Sequence, residues 1–109
     1  MATVTLYRPI GPGEYDLLVE NGFTRWPPRL PEQPIFYPVT NESYAREITE
    51  KWNVTRYGAG YVTKFEVEAS FMAMYEIQKV GGESHTEWWI PAEDLEALND
   101  AIVGKIKLI

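Results

Sequence analysis

Residues 81–95 contain a loop, a strand and a helix start in succession, and they read Gly81-Gly82-Glu83-Ser84-His85-Thr86-Glu87-Trp88-Trp89-Ile90-Pro91-Ala92-Glu93-Asp94-Leu95. The two glycines open a short polar loop, and the bulky apolar run after it is typical of a buried strand. Pro91 ends that run. An early proline followed by acids, which the helix dipole favours in a first turn, predicts that a helix begins there.

The strand predicted in this stretch brings an imidazole and a carboxylate onto one face. Side chains alternate between the two faces of a strand. A strand that starts near His85 therefore places His85, Glu87 and Trp89 together, and residues 86, 88 and 90 on the other face. His85 and Glu87 then form a candidate polar site at the mouth of the strand. The alternative is that Glu87 is a solvated strand-end charge and His85 a loop residue.

Length, composition and charge predict one small domain over residues 1–109. The chain has 109 residues, of which 45% are hydrophobic, and this is enough for one core. Its net charge of -6 argues against a nucleic-acid surface, which needs a basic face, and against anionic lipid. The net charge does not exclude a local basic pocket, for which Arg8, Arg25 and Arg29 are the candidate residues.

The residue types that are scarce or absent narrow the chemistry further. The chain has no cysteine, which excludes disulfides and thiol nucleophiles, and its single histidine leaves little room for zinc, so we expect no metal site. No apolar run is long enough to span a bilayer, and the N-terminus lacks the features of a signal peptide. We therefore expect a cytoplasmic protein with no membrane partner.

Residue periodicity and turn residues predict an α+β fold with about three short helices. Strands are expected at residues 3–8, 35–39, 61–68, 75–80, 85–90 and 105–109. Helices are expected at residues 14–20, 41–52 and 92–102, with one or two further helical turns at residues 69–74. Thr40 or Asn41 is expected to cap the second of these helices. The connections allow hairpins as well as crossovers, so the sheet is expected to be mixed or mostly antiparallel.

The spacing of large residues predicts a core and one loop of interest. One core is expected to contain Tyr44, Ile48, Trp52, Phe65, Val67, Leu95 and Leu98, the first three because they recur at the i, i+4, i+8 spacing of a helix packed on a sheet. Residues 23–34 hold Trp26, four prolines and two arginines. Such a stiffened loop either lines a site or serves as a simple connector.

Three short motifs, in order along the chain, resemble those of ADP-ribosyltransferase-like proteins. Leu6-Tyr7-Arg8 resembles the opening motif at the end of a first strand. Ile35-Phe36-Tyr37-Pro38-Val39-Thr40-Asn41 resembles the second motif, an aromatic strand that leads into a helix. Residues 82–91, with Glu87 entering a strand after a loop, are similar to the third. The chain also resembles short bacterial proteins that carry ADP-ribosylation or crystallin-type names.

This resemblance implies NAD as the cofactor and assigns roles to six residues. Glu87 would stabilise the positive charge that develops on the ribose when nicotinamide leaves, and His85 would orient the acceptor or take its proton. Arg8 would bind an anionic pyrophosphate oxygen through its planar guanidinium. The nicotinamide ring would stack on Tyr37, together with Phe36 or Trp26.

Three classes of function remain open from the sequence. The first is an NAD-dependent transferase that passes ADP-ribose to an unknown acceptor, such as a protein. The second is a catalytically silent module of the same fold that binds NAD, another nucleotide or a protein. The third is a small structural or interaction domain. Convergence of Arg8, Tyr37 and Glu87 on one cleft would separate the first two classes from the third.

Overall fold

Residues 2–109, which the computed structural model describes, contain seven β-strands. They are β1 (Thr3–Ile10), β2 (Ile35–Phe36), β3 (Tyr61–Glu68), β4 (Ile77–Lys79), β5 (Thr86–Trp88), β6 (Ile90–Pro91) and β7 (Ile102–Leu108). The long strands form an antiparallel sheet in the order β1-β3-β7. Alternating apolar residues set the register between β1 and β3, with Leu6 opposite Phe65 and Val4 opposite Val67.

The segment around Val39 connects the β4–β5 hairpin to the long sheet, and Thr40 and Pro38 on either side of Val39 form backbone hydrogen bonds with Thr86 and Trp88 of β5. The backbone of Val39 exchanges two hydrogen bonds with Tyr7 of β1, at 3.0 and 2.7 Å, and it forms an antiparallel bridge to Glu87 of β5 on its other side. The short strands β2 and β6 pair separately, with Phe36 opposite Ile90. Every strand pairing in the described chain is antiparallel, which confirms the predicted α+β class with a mostly antiparallel sheet.

The helices are α1 (Pro12–Glu20), α2 (Glu42–Ile48), α3 (Val54–Tyr57), α4 (Ala69–Met72) and α5 (Leu95–Asp100). A π-helical turn, Thr49–Asn53, joins α2 to α3 without a break, and a 3-10 turn, Ala92–Asp94, leads into α5. The described chain thus has four helical segments, of which α4 lies where one or two further helical turns were expected. Of the two cap residues expected for this helix, Asn41 is the one that caps α2, because its side-chain oxygen accepts the Tyr44 N–H at 2.8 Å.

Apolar side chains form two buried clusters, not the single core expected. The larger cluster contains Leu6, Phe65, Leu95 and Leu98 together with Trp26 and Phe36. The smaller one contains Val39, Ala45 and Val62, with Tyr44 and Ile48 packed against it. Val62 lies on the face of β3 opposite to Phe65 and Val67, and it is buried because α2 covers that face of the sheet.

The prediction that Trp52 belongs to the core is also wrong, because its side chain is 68% exposed. Trp52 lies in the π-helical turn, where hydrogen bonds join residues i and i+5 instead of i and i+4. The wider turn rotates Trp52 away from the stripe that Tyr44 and Ile48 begin. The last helix also ends earlier than expected, at Asp100, and Gly104 lies within β7 with a positive φ of 82°.

Candidate functional site

A cleft of about 620 Å³ opens where β1 runs into α1. Three parts of the chain form its walls: the β1–α1 junction, the segment on either side of β2, and the helix that contains the π turn. Polar side chains come from all three walls, namely Arg8, Glu14, Arg29, Gln33, Tyr37, Asn53 and Tyr57. The cleft is therefore bounded by parts of the chain that are far apart in sequence.

Arg8 lies in the floor of this cleft and is held by a carboxylate. Its Nε donates to Glu14 Oε2 at 2.7 Å and its Nη2 to Glu14 Oε1 at 3.0 Å, a two-bond fork. Its guanidinium lies over the ring of Phe36, 4.5 Å from the centroid, and 5.6 Å from that of Trp26. Arg8 is only 7% exposed, so its charge is buried, paired and stacked on aromatic rings.

Arg29 is the second guanidinium of the cleft, and its surroundings differ from those of Arg8. Its Nη2 donates to the Ile35 carbonyl at 3.2 Å, whereas its Nε is buried and has no hydrogen-bond partner. No carboxylate within residues 2–109 forms an ion pair with it. The pKa of Arg29 is lowered from its ordinary value, first by burial and then by the charge of Arg8.

The proline-rich loop that carries Arg29 is anchored by a buried tryptophan. Trp26 is 1% exposed, and Asn99 of α5 both accepts from its backbone N–H at 2.8 Å and donates to its carbonyl at 3.0 Å. Of the two sequence-based alternatives for residues 23–34, a lining segment or a connector, the first fits, because Arg29 and Gln33 of this loop line the cleft.

A close contact between two walls shapes the other side of the cleft. Gly11 precedes α1, and no side chain caps this helix. A Cβ atom added to Gly11 would lie 3.2 Å from the ring of Tyr57, so the absence of a side chain allows the ring to pack there. Asn53, the last residue of the π turn, also lines this wall, in keeping with the frequent occurrence of such turns at functional sites.

Of the three residues predicted to stack on a ring, one faces the cleft. Tyr37 lines it and is 49% exposed. Phe36 and Trp26 are both 1% exposed and belong to the larger buried cluster. Trp26 and Phe36 therefore offer no face to a ligand in the cleft, contrary to the stacking role that the resemblance implies, and these two rings pack against the guanidinium groups from behind.

Glu87 and His85, the residues to which the resemblance gives catalytic roles, do not line this cleft. Glu87 is 9% exposed and accepts hydrogen bonds from the Tyr44 hydroxyl at 3.2 Å and from Trp89 Nε1 at 2.9 Å. The ring of His85 stacks on Tyr44, and its Nε2 lies 2.6 Å from Glu47 Oε2. His85 is thus paired with α2 and not with Glu87.

Burial, together with the nearby Glu87 carboxylate, raises the pKa of Tyr44 to about 12. Tyr44 therefore stays protonated at neutral pH and remains a hydrogen-bond donor to Glu87. The Glu87 carboxylate receives only neutral donors in these contacts, and it is already satisfied by them. One of these hydrogen bonds joins the side chain of Tyr44 in α2 to that of Glu87 in β5.

Strand geometry explains why Arg8 and Glu87 separate. Tyr7, Val39 and Glu87 lie opposite one another across neighbouring strands and share one face of the sheet, the face under α2. Arg8 follows Tyr7 in β1, so its side chain projects from the other face, toward Phe36 and the larger cluster. The positions of Arg8 and Glu87 in the sequence do not predict that their side chains lie on opposite faces of the sheet.

The basic pocket considered from the sequence contains two of its three candidates. Arg8 and Arg29 line the cleft, whereas Arg25 pairs at the surface with Glu96 at 2.9 Å and Asp100 at 3.0 Å. Sequence reasoning missed Glu14, Asn53 and Tyr57 as lining residues. Glu14 carries the only available signal, since an acid in a first helical turn next to an arginine at a strand end is a plausible partner.

Three further findings bound the kinds of site that this chain offers. No group of three or more His, Cys, Asp or Glu side chains in the described chain is arranged to hold a metal ion. No helix within residues 2–109 has the length and apolar character needed to cross a membrane. No protein-family model, curated protein or solved structure matches this chain.

Proposed function

We propose that this protein is a binding module whose cleft takes a phosphate-bearing nucleotide, with NAD as the first nucleotide to test. The observation that carries the proposal is the charge inside the cleft. Two guanidinium groups, those of Arg8 and Arg29, line the cleft together with a single carboxylate, that of Glu14, which pairs with Arg8. The cleft therefore holds surplus positive charge in a protein with a net charge of -6.

The size and composition of the cleft support a small organic anion. Ligand pockets commonly measure about 300–1,000 Å³ and combine apolar walls with a few converging polar groups. The cleft has about 620 Å³ and offers the half-exposed ring of Tyr37, the wall formed by Tyr57 and the amide of Asn53. An aromatic ring next to arginines suits a ligand with a planar base and a phosphate.

Of the three residues whose convergence was to separate the functional classes, Arg8 and Tyr37 line the cleft and Glu87 does not. Nucleotide binding is therefore proposed from the charge of the cleft and not from that convergence, and it is proposed ahead of ADP-ribose transfer because of the position of Glu87. Transfer by the mechanism that the resemblance implies needs a carboxylate beside the ribose of a bound NAD. Glu87 lies outside the lining of the cleft, and its two oxygens already accept from Tyr44 and Trp89. Glu14, the carboxylate in the cleft, is engaged by Arg8. We therefore expect binding without release of nicotinamide.

Calorimetric titration of the purified protein with NAD, ADP and adenosine tests the proposal. NAD and ADP should bind, adenosine should bind at least about tenfold more weakly because a charged hydrogen bond is lost, and higher salt should weaken the first two. Trp fluorescence gives a second readout, since Trp26 lies behind the Arg8 guanidinium.

Two results would contradict this function. If NAD and ADP both fail to bind at millimolar concentration, the cleft is not a nucleotide site and the structural-domain alternative stands. If NAD binds and nicotinamide accumulates in a turnover assay, the protein is a transferase and not a silent module. Equal affinity for ADP and adenosine would remove the role proposed for the arginines.

A further inference from the structure

We infer that Arg29, and not Arg8, is the residue that binds the phosphate group of the ligand in this cleft. The inference rests on the proposed function and assigns the anion-binding role within it. The resemblance had given that role to Arg8, at the end of the first strand. The surroundings of the two guanidinium groups distinguish them.

Arg8 has little freedom to take a ligand. Two of its N–H groups are committed to the Glu14 carboxylate, at 2.7 and 3.0 Å, and the side chain is 9% exposed. Its guanidinium plane is also packed near Phe36. A ligand phosphate at Arg8 would have to displace the carboxylate of Glu14, which belongs to the same chain, lies only six residues away in sequence and is therefore always present at a high effective concentration.

Arg29 has the opposite properties. It is partly exposed and lines the cleft, and one hydrogen bond to the Ile35 carbonyl fixes one end of its guanidinium group. Its buried Nε has no hydrogen-bond partner, and no carboxylate in the described chain forms an ion pair with it. An arginine whose position is set but which has no ion-pair partner is well suited to receive an anion.

The neighbouring charge strengthens the argument. Burial and then the charge of Arg8 lower the pKa of Arg29, and Glu14 opposes them only in part. A phosphate bound at Arg29 would offset the repulsion from Arg8 and would supply acceptors for its free N–H groups. The expected ligand class is accordingly a nucleotide with an accessible phosphate, of which ADP is a simple probe.

The experiment compares ADP binding to the wild-type protein with binding to Arg29→Gln, Arg29→Lys and a control. The control is Arg46→Gln, because Arg46 is an exposed arginine of α2 that pairs with Glu42 and does not line the cleft. Arg29→Gln should weaken ADP binding about tenfold or more and reduce its salt dependence, since a charged hydrogen bond is lost. Arg29→Lys should retain part of the affinity, and Arg46→Gln should stay within about twofold of wild type.

Urea melts separate binding from folding. Arg29→Gln should unfold at the wild-type midpoint or above it, since a charge without a carboxylate partner is removed, whereas Arg8→Gln should lower the midpoint by leaving Glu14 unpaired. Wild-type affinity in Arg29→Gln overturns the inference while the nucleotide-binding function stands. Absence of ADP and NAD binding in the wild-type protein overturns the proposed function itself. If Arg29→Gln proves unfolded, Arg29→Lys decides, and unchanged ADP affinity in that variant also overturns the inference.

Discussion

Removal of the Asn99 side chain is the sharpest test of how the loop of the cleft is held. The Asn99 amide accepts from the Trp26 N–H at 2.8 Å and donates to the Trp26 carbonyl at 3.0 Å, across 73 positions of sequence. Both residues are almost fully buried. Asn99→Ala therefore removes two hydrogen bonds and leaves a backbone donor and acceptor without partners inside the protein.

The expected loss follows from these contacts. A buried hydrogen bond contributes about 1 kcal/mol net, and a partner that stays buried and unsatisfied adds about 1–3 kcal/mol of desolvation cost. We expect Asn99→Ala to lower the free energy of unfolding by about 2–4 kcal/mol. With a urea m-value of about 1–3 kcal/mol/M, the midpoint should fall by roughly 1–2 M.

The chain supplies a matched control for this experiment. Asn21 makes the same two kinds of bond, to the Arg25 carbonyl at 2.8 Å and from the Thr24 N–H at 3.1 Å, but it is exposed. Water can replace those bonds, so Asn21→Ala should cost less than about 1 kcal/mol. Urea melts followed by Trp fluorescence measure both variants. Equal losses in the two variants, or a loss below about 0.5 kcal/mol for Asn99→Ala, would refute the burial argument.

Three further predictions concern single side chains. Trp52→Ala should lower the free energy of unfolding by less than about 1 kcal/mol, because Trp52 is exposed. Trp26→Ala should lower it by about 3–5 kcal/mol in the same urea melts, because Trp26 is buried. A larger loss for Trp52→Ala than for Trp26→Ala would contradict the assigned burial. The pKa of Tyr44 is raised to about 12, so its contribution to stability is complete below pH ~10 and is lost as the pH rises from about 10 to about 12. Tyr44→Phe should therefore remove part of the alkaline loss of stability in melts across that range, and an unchanged slope would count against the shift. A Cβ on Gly60 would lie 2.7 Å and 2.9 Å from two side chains of the π-helical turn, so Gly60→Ala should lower the free energy of unfolding by about 1–3 kcal/mol. Gly82→Ala is the control and should be nearly neutral, because a Cβ there would have nothing within 4 Å. Thermal melts that show equal losses in the two variants would argue against the close contact at Gly60.

Local patterns in the sequence were sufficient to predict several elements. The alternation from residue 61 to residue 68 gave β3 with its observed bounds, and the pair Thr40 and Asn41 included the observed cap of α2. These predictions succeed because strand alternation and helix capping depend on residues within one or two turns of each other. The same local rules correctly place Glu87 and Trp89 on one side of the chain, where they share a hydrogen bond.

Tertiary structure alone decided which polar residues meet. Sequence alternation says that Arg8 and Glu87 each face one side of a strand, but not which side of the assembled sheet that is. The answer depends on the bridge from Tyr7 through Val39 to Glu87, and such pairings join segments that lie far apart along the chain. Arg8 consequently meets Glu14 and Phe36, while Glu87 meets Tyr44.

The burial of Trp26 and the exposure of Trp52 were likewise decided by tertiary structure and not by the sequence pattern. Trp26 lies in a proline-rich loop with no periodicity, yet it is buried because Asn99 of α5 satisfies its backbone. Trp52 continues a helical stripe, yet it is exposed because the helix widens into a π turn before reaching it. The sequence determined the type and order of the elements, since those depend on local backbone preferences. Only the packed structure determined the cleft, because its arginines and its walls are brought together by contacts between distant parts of the chain.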